Sequence, residues 1–268
     1  AALRIFYNKL KEIYKVVKLD VYIKASNNSY YNRDKSIYAT QDYINEILPL
    51  AINSKTICEY DYFVDNSIDI TKILDINPVD AWLFKFGIDY KKISDLEKFS
   101  QLKTDHFELT KGLKQKIQES KQRGKLLLFH PYSANINKSI PQNFAIEILK
   151  NLIDKLDDYT IVSTLLIDSK IKADNFLDLS SYSKSIEDFI YIVSSCDKLI
   201  TAYTSALHIA DCFMIPTVCI ATFKEYEEQL KYYKCTKTIF VKDSSKNLSK
   251  FIYENDSLTI NKFEEWKK

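Results

Sequence analysis

The sequence predicts an α/β protein made of two Rossmann-like, doubly wound domains, and three observations lead there. Residues 125–221 alternate short apolar strands with amphipathic helices. The front of the chain repeats that alternation less regularly. At 268 residues the chain also exceeds one typical domain, so two of roughly 100–150 residues are expected. A charged, aperiodic connection over Asp89–Asp105 places the boundary so that 1–108 forms an N-terminal domain and 109–268 a C-terminal one.

In order, Ala1–Lys18 reads as a helix with Leu3, Phe6, Leu10, Ile13, Tyr14 and Val17 on one face. Leu19–Ala25 alternates as a strand, Asn27–Asp34 is a polar loop, Gln41–Leu48 a short helix and Thr56–Val64 a strand. Val79–Phe86 gives a helix ended by Gly87 in the left-handed position. A domain that opens on a helix lacks its usual first strand, which implies chain before Ala1.

Leu109–Arg123 is a solvated helix, and Gly124 separates it from strand Lys125–His130. Helix 141–156 begins at Pro141, which suits a first helical turn. Strands 159–164 and Asn175–Leu179 follow, then helix Ser185–Ser195 with Ser185 as cap and Glu187 and Asp188 in its first turn. Strand Lys198–Ala202, helix Ala206–Phe213, strand Thr217–Ala221, helix Glu225–Tyr233 and strand Lys237–Val241 complete the alternation. Ser245–Glu254 and Asn261–Lys268 read as amphipathic helices.

Composition narrows the function. Hydrophobic residues make up 46% and charged residues 28%, as in ordinary globular proteins. A formal charge of +2, with Lys scattered among Asp and Glu, gives no field that would recruit nucleic acid or a membrane. Five cysteines form no CxxC pair and read as buried reduced thiols. No apolar run approaches the ~18 residues of a membrane span, and no signal-peptide pattern opens the chain, so a cytoplasmic protein is expected. Only three glycines exclude glycine-rich phosphate loops.

Chemistry concentrates where the C-terminal strands end. Pro131–Ile140, Leu165–Asp174 and Ala202–Ser205 are expected at one sheet edge, where doubly wound folds bind ligands. In the first loop His130 closes a strand, Ser133 and Asn135 supply polar groups, and Lys138 brings a positive charge. In the third, Thr201, Thr204 and Ser205 stand before a helix whose first N–H groups, including that of Ala206, favour an anion such as a diphosphate. His208 lies one turn into that helix, able to donate to an anion or sugar hydroxyl. The plainer alternatives are that Thr204 and Ser205 only cap the helix, that His208 is a satisfied buried histidine, and that Lys138 is a solvated loop lysine.

The stretches HPYSANINKSIPQNFAIEIL and SIEDFIYIVSSCDKLITAYTSALHIADCFMIPTVCIA together resemble glycosyltransferase family 9, the heptosyltransferases of lipopolysaccharide core assembly. In that family a His-Pro turn, a Lys before Trp-Pro and an Asp-Thr-Gly-x-x-His turn surround the nucleotide sugar. The resemblance extends more weakly over Ala1–Ala25 and over Tyr60–Asp65, which is similar to the family's Tyr-Asp-x-x-Ile-Asp strand. It implies a GT-B architecture with two Rossmann-like domains facing across a cleft, the C-terminal one binding the donor and the N-terminal one the acceptor. It implies no cofactor and no metal, with a nucleoside diphosphate sugar such as ADP-heptose as substrate. The implied partner is a saccharide or glycolipid acceptor, which would bring the protein to the inner face of the membrane.

By the same resemblance Lys138 matches the lysine that contacts donor phosphate or the departing charge, and Thr204 and His208 match the Thr and His of the diphosphate turn. Asp168 matches the acidic residue that holds a ribose hydroxyl, and Leu179 falls beside the adenine slot or is ordinary core. Tyr203 stands where the family has a sugar-holding Asp, Ser205 where it has Gly, and Ile140 where it has Trp. The family's Gly-Asp stretch with the general base has no counterpart after Ala1; Asp61, Asp65 and His106 are base candidates by chemistry alone. The leading reading is thus an inverting, metal-independent sugar transferase. One rival is a degenerate GT-B-like subunit that keeps nucleotide affinity. Another is a polysaccharide pyruvyl transferase-like enzyme, against which Ala206-Leu207-His208 lacks an Arg-Leu-His arginine.

Overall fold

A computed structural model describes residues 1–65, 75–221 and 225–240. Contacts divide the chain into one unit of Ala1–His106 with Glu228–Tyr232, and a second of Phe107–Glu227 with the described residues from Tyr233 on.

In the first unit, helix α1 (Ala2–Ile13) is followed by strand β1 (Asp20–Ile23), helix α2 (Asn28–Ala39), strand β2 (Glu46–Pro49), the short helix α3 (Ser54–Ile57) and helix α4 (Pro78–Lys85). Strands β1 and β2 pair in parallel, Asp20 opposite Glu46, and the Asp20 carboxylate sets that register by accepting from the Asn45 amide at 2.8 Å and the Glu46 N–H at 3.1 Å. Helix α1 packs Ala2, Ile5 and Phe6 against Leu83, Phe86 and Ile93, with the Phe6 and Phe86 rings stacked at 4.5 Å. Helix α4 starts with Asn77 as cap and Pro78 in its first turn. It ends at Gly87, φ +73°, whose N–H reaches Phe84 O while that of Ile88 reaches Leu83 O, the paired closure that favours glycine.

Several expectations for this unit are corrected. The first helix ends at Ile13 rather than Lys18: Tyr14 is extended, and Ile13, Tyr14 and Val16 are exposed. Asn27–Asp34 opens helix α2 rather than forming a loop. Asn27 accepts the Tyr30 N–H at 2.9 Å, and because α2 buries no residue its sequence shows no apolar period. Over Gln41–Leu48 the spacing of Ile44, Ile47 and Leu48 mimics a helix, but Ile44 closes a turn onto Gln41 and Ile47 and Leu48 pair as part of β2. Thr56–Val64 is not a strand, and neither is Tyr60–Asp65: Asn53 caps α3, and the Tyr60 hydroxyl donates to Asp20 at 2.7 Å, fixing a turn. The Asp89–Asp105 connection is not purely superficial, since Ile93 and Lys98 are buried.

The second unit runs α5 (Leu113–Arg123), β3 (Lys125–His130), α6 (Gln142–Lys155), β4 (Tyr159–Ser163), β5 (Phe176–Asp178), α7 (Ile186–Ser195), β6 (Lys198–Ala202), α8 (Ser205–Cys212), β7 (Thr217–Ala221), the start of α9 (Glu225–Gln229), whose last two residues belong to the first unit, and β8 (Thr236–Phe240). Among the described residues its six strands form one parallel sheet in the order β5-β4-β3-β6-β7-β8, a doubly wound arrangement as expected for this half. Phe129, Ile140, Ala145, Leu149, Ile161 and Ala202 form the centre of its core. The order in which strands are added reverses between β3 and β6, where His130 lies beside Thr201.

Differences here are at element ends. The solvated helix begins at Leu113 because Gly112 adopts φ +84° and Thr110 bonds elsewhere; Leu113, Ile117 and Ser120 are buried. Pro141 precedes α6 as its cap residue rather than its first turn. Ser185 and Asp188 form a reciprocal capping box on α7. Helix α9 stops at Gln229 rather than Tyr233. Cys196 and Cys219 are buried as expected, but Cys58 is exposed and Cys212 and Cys235 are only half-buried. The expected helices Ser245–Glu254 and Asn261–Lys268 lie outside the described residues.

Candidate functional site

The loops after β3 and β6 leave the sheet at the point where its winding reverses, so their side chains meet at the carboxyl edge of adjacent strands. Thr201 ties them together. Its hydroxyl oxygen lies 2.9 Å from His130 O and 3.1 Å from the Thr204 hydroxyl.

Thr204 is the cap of α8, in extended conformation, accepting the Ala206 N–H at 3.2 Å. Ser205 opens the first turn and is exposed, whereas Ala206 is buried. The loop from Pro131 to Ile140 is closed on itself: Ile140 N–H reaches Pro131 O, and the Ser139 hydroxyl accepts the Ser133 N–H at 2.9 Å. The Ser133 hydroxyl in turn accepts from Asn135 N–H at 3.3 Å. That closure presents Lys138, at the end of a single 3-10 turn (Ile136–Lys138), with its ammonium 5.1 Å from the centre of the Tyr203 ring.

Tyr203 in turn meets His208 edge to face at 5.5 Å. Tyr233 makes a second edge-to-face contact with the imidazole at 5.9 Å, and its hydroxyl lies 2.6 Å from Nδ1. Lys138, Tyr203, His208 and Tyr233 therefore form a continuous cation–aromatic row beside the start of α8. Burial of the ring, then the Lys138 charge, lowers the His208 pKa, so the imidazole is neutral at pH 7. Behind the row Asp211 is buried, with Oδ1 lacking a hydrogen-bond partner, and burial pushes its carboxyl up to about 6.

Other predicted residues are placed differently. His130 is not presented to the loop: it is only 6% exposed, its Nδ1 is paired with Thr164 Oγ1 at 3.0 Å and its ring rests on Phe189. Burial lowers its pKa to about 4, so it is a neutral interior group supporting the β3 end. Asp168 turns its own loop, accepting the Lys170 N–H at 2.9 Å. Leu179 is fully buried, the ordinary core residue that the sequence reading allowed. Asp61, Asp65 and His106 lie on exposed chain in the first unit; His106 acts there on Asp42. A 320 Å³ pocket in that unit is internally satisfied, Lys103 pairing with Asp42 and Arg4 donating to Glu97 O and Phe99 O. Tyr233 was not legible from sequence, because it stands 25 residues beyond His208 with no shared motif.

Among the described residues no three His, Cys, Asp or Glu side chains cluster as metal ligands, and no helix is long and apolar enough to cross a membrane. No protein-family model matches the chain, and no curated protein matches it in sequence. Solved structures do match. E. coli ADP-heptose lipopolysaccharide heptosyltransferase II superposes with a TM-score of 0.59 at 14% identity, over 97% of this chain and 94% of that one. A glycosyl transferase of family 9 from Veillonella parvula gives 0.57 at 11%, over 95% and 84%. E. coli heptosyltransferase WaaC, solved with ADP-2-deoxy-2-fluoro heptose, gives 0.51 at 8%, over 96% and 95%. The row of Lys138, Tyr203, His208 and Tyr233 thus sits on a chain with the α/β GT-B fold of the family 9 heptosyltransferase structures.

Proposed function

We propose that this chain is a glycosyltransferase that moves a heptose-like sugar from a nucleoside diphosphate donor, such as ADP-heptose, to a saccharide acceptor such as lipopolysaccharide core, with inversion and without metal. The observation that carries the reading is the meeting of Lys138, the Thr204-capped start of α8 and His208 at the winding reversal of the second sheet. Support for the sugar comes from fold neighbours described as heptosyltransferases.

The chemistry follows from the residue types. An acceptor oxygen attacks the anomeric carbon from the face opposite the diphosphate, and the bond from that carbon to the diphosphate oxygen breaks. Negative charge then grows on the departing nucleoside diphosphate. Lys138 supplies a fixed cation, the Ser205 and Ala206 end of α8 the positive pole of its dipole, and His208 a neutral N–H donor. A general base must also take the acceptor proton. None of the residues in this row fills that role.

A second reading, a nucleotide-binding GT-B subunit without catalysis, is favoured by one feature: Tyr203 occupies the position of the family's sugar-holding Asp and leans on Lys138 and His208. Calorimetry with ADP, UDP, GDP and CDP, on the protein and on Lys138→Ala and His208→Ala, tests both. Selective binding of one nucleotide, weakened about tenfold or more in each variant, supports the site. Absence of binding by the folded protein removes both readings. Transfer of label from the matching nucleotide sugar to an acceptor separates the enzyme from the subunit.

A further inference from the structure

His208 reaches the site from the exposed face of α8, and a neutral imidazole has only one proton to offer. Which nitrogen carries it decides whether the ring donates or accepts there. The partner that decides is the one at Nδ1.

We propose that Tyr233 is the positioning residue of this site: its hydroxyl donates to Nδ1 of His208 and holds the imidazole as the tautomer protonated on Nε2. Three observations carry this. The Oη to Nδ1 separation of 2.6 Å is shorter than N–H donors ordinarily reach and lies within the range of O–H donors, so the phenol gives the proton. The two rings meet at 85°, so Tyr233 buttresses the imidazole by shape as well as by the hydrogen bond. Tyr203 makes a second edge-to-face contact with the same ring at 87°.

Charge supports the same assignment. Tyr233 is surrounded by Asp211, Tyr203, Cys212 and Cys219, and burial first and then these groups raise its pKa, so its proton stays on oxygen at neutral pH. Lys138 faces the imidazole and disfavours a second proton on it. With Nδ1 committed as acceptor, Nε2–H is the donor left for an anionic oxygen. A ring fixed in that state before the ligand arrives has no tautomer or rotation to settle on binding. The ligand half of this inference rests on the nucleoside diphosphate reading, whereas the tautomer half stands on the geometry alone.

Long-range proton–nitrogen NMR spectra of the ¹⁵N-labelled full chain test it, since the sequence holds only three histidines and His208→Gln assigns the relevant ring. Spectra are compared with Tyr233→Phe, which keeps the aromatic contact and deletes the hydroxyl, and calorimetry follows the tightest of ADP, UDP, GDP and CDP. The expected result is a single Nε2–H tautomer in the parent chain. In Tyr233→Phe the two nitrogens average and nucleotide affinity falls about fivefold, the equivalent of one hydrogen bond. Unchanged His130 signals show that the variant keeps its fold. An Nδ1–H ring in the parent, or a ring indifferent to the loss of the hydroxyl, overturns the proposal. Averaged nitrogens with unaltered nucleotide affinity overturn its ligand half. A parent chain with the Nε2–H ring that binds no nucleotide overturns the functional reading while leaving the tautomer assignment supported.

Discussion

Asp188, buried on α7, ties Thr110 near the start of the second unit to the α7 cap, and its replacement by asparagine gives the sharpest stability prediction. One carboxylate oxygen accepts the Thr110 N–H at 2.7 Å. The other accepts the Thr110 hydroxyl at 2.7 Å and the N–H groups of Lys184 and Ser185 at 3.2 Å each. Burial works against the charge, but these four donors hold the carboxyl below its usual range. In Asp188→Asn the amide oxygen can keep one set of donors, and its nitrogen then faces a donor in place of the other. Three charge-assisted hydrogen bonds become neutral ones and one buried N–H loses its acceptor, a cost of about 3–5 kcal/mol. Urea unfolding at pH 7, followed by far-UV circular dichroism, measures it. Because the folded carboxyl titrates below the unfolded one, its contribution is complete at neutral pH and disappears as pH falls through the folded value. The gap between parent and variant therefore narrows in acid. A loss below about 1 kcal/mol at pH 7, or a gap that persists undiminished at low pH, refutes the reasoning.

Three further outcomes follow from buried polar groups. In the first unit Lys98 pairs with Asp80 at 2.8 Å and donates to the Tyr232 hydroxyl at 3.0 Å, all three side chains buried. Lys98→Met strands the Asp80 charge and costs about 3–5 kcal/mol by thermal unfolding, most of it regained in Lys98→Met with Asp80→Leu; a single variant that melts with the parent contradicts this. His130, lowered from 6.5 to about 4 by burial, is neutral when folded and protonated when unfolded between those values. Stability accordingly rises with pH through that window by up to about 3 kcal/mol, and His130→Gln flattens the slope in urea titrations at stepped pH. Thr204→Val removes the α8 cap while keeping the side-chain shape. It lowers stability by about 1 kcal/mol and weakens nucleotide binding in calorimetry, and a variant equal to the parent in both measurements rules out the cap's role.

The sequence by itself determined the second unit. Apolar runs such as KLLLFH and KLITA are buried on both faces of a parallel sheet, so they stand out whatever surrounds them, and Ser185 and Thr204 announce helix starts through their capping side chains. The placement of Lys138, Thr204 and His208 at one edge followed from that alternation and from where doubly wound sheets reverse. The first unit was far less legible. Helix α2 buries no side chain and so carries no period, β2 has helix-like spacing, and the aromatic stretch after α3 is held in turns by Tyr60 reaching Asp20. Only the tertiary structure decided which polar groups meet. His130 looks like a loop donor in sequence but is interior because Thr164, 34 residues on, supplies its partner. Tyr233 meets His208 across 25 residues, Asp188 meets Thr110 across 78, and Lys98 meets Tyr232 across 134. No local periodicity encodes such pairs. They form because a buried polar group must find a partner in the fold, and the fold alone brings that partner within reach.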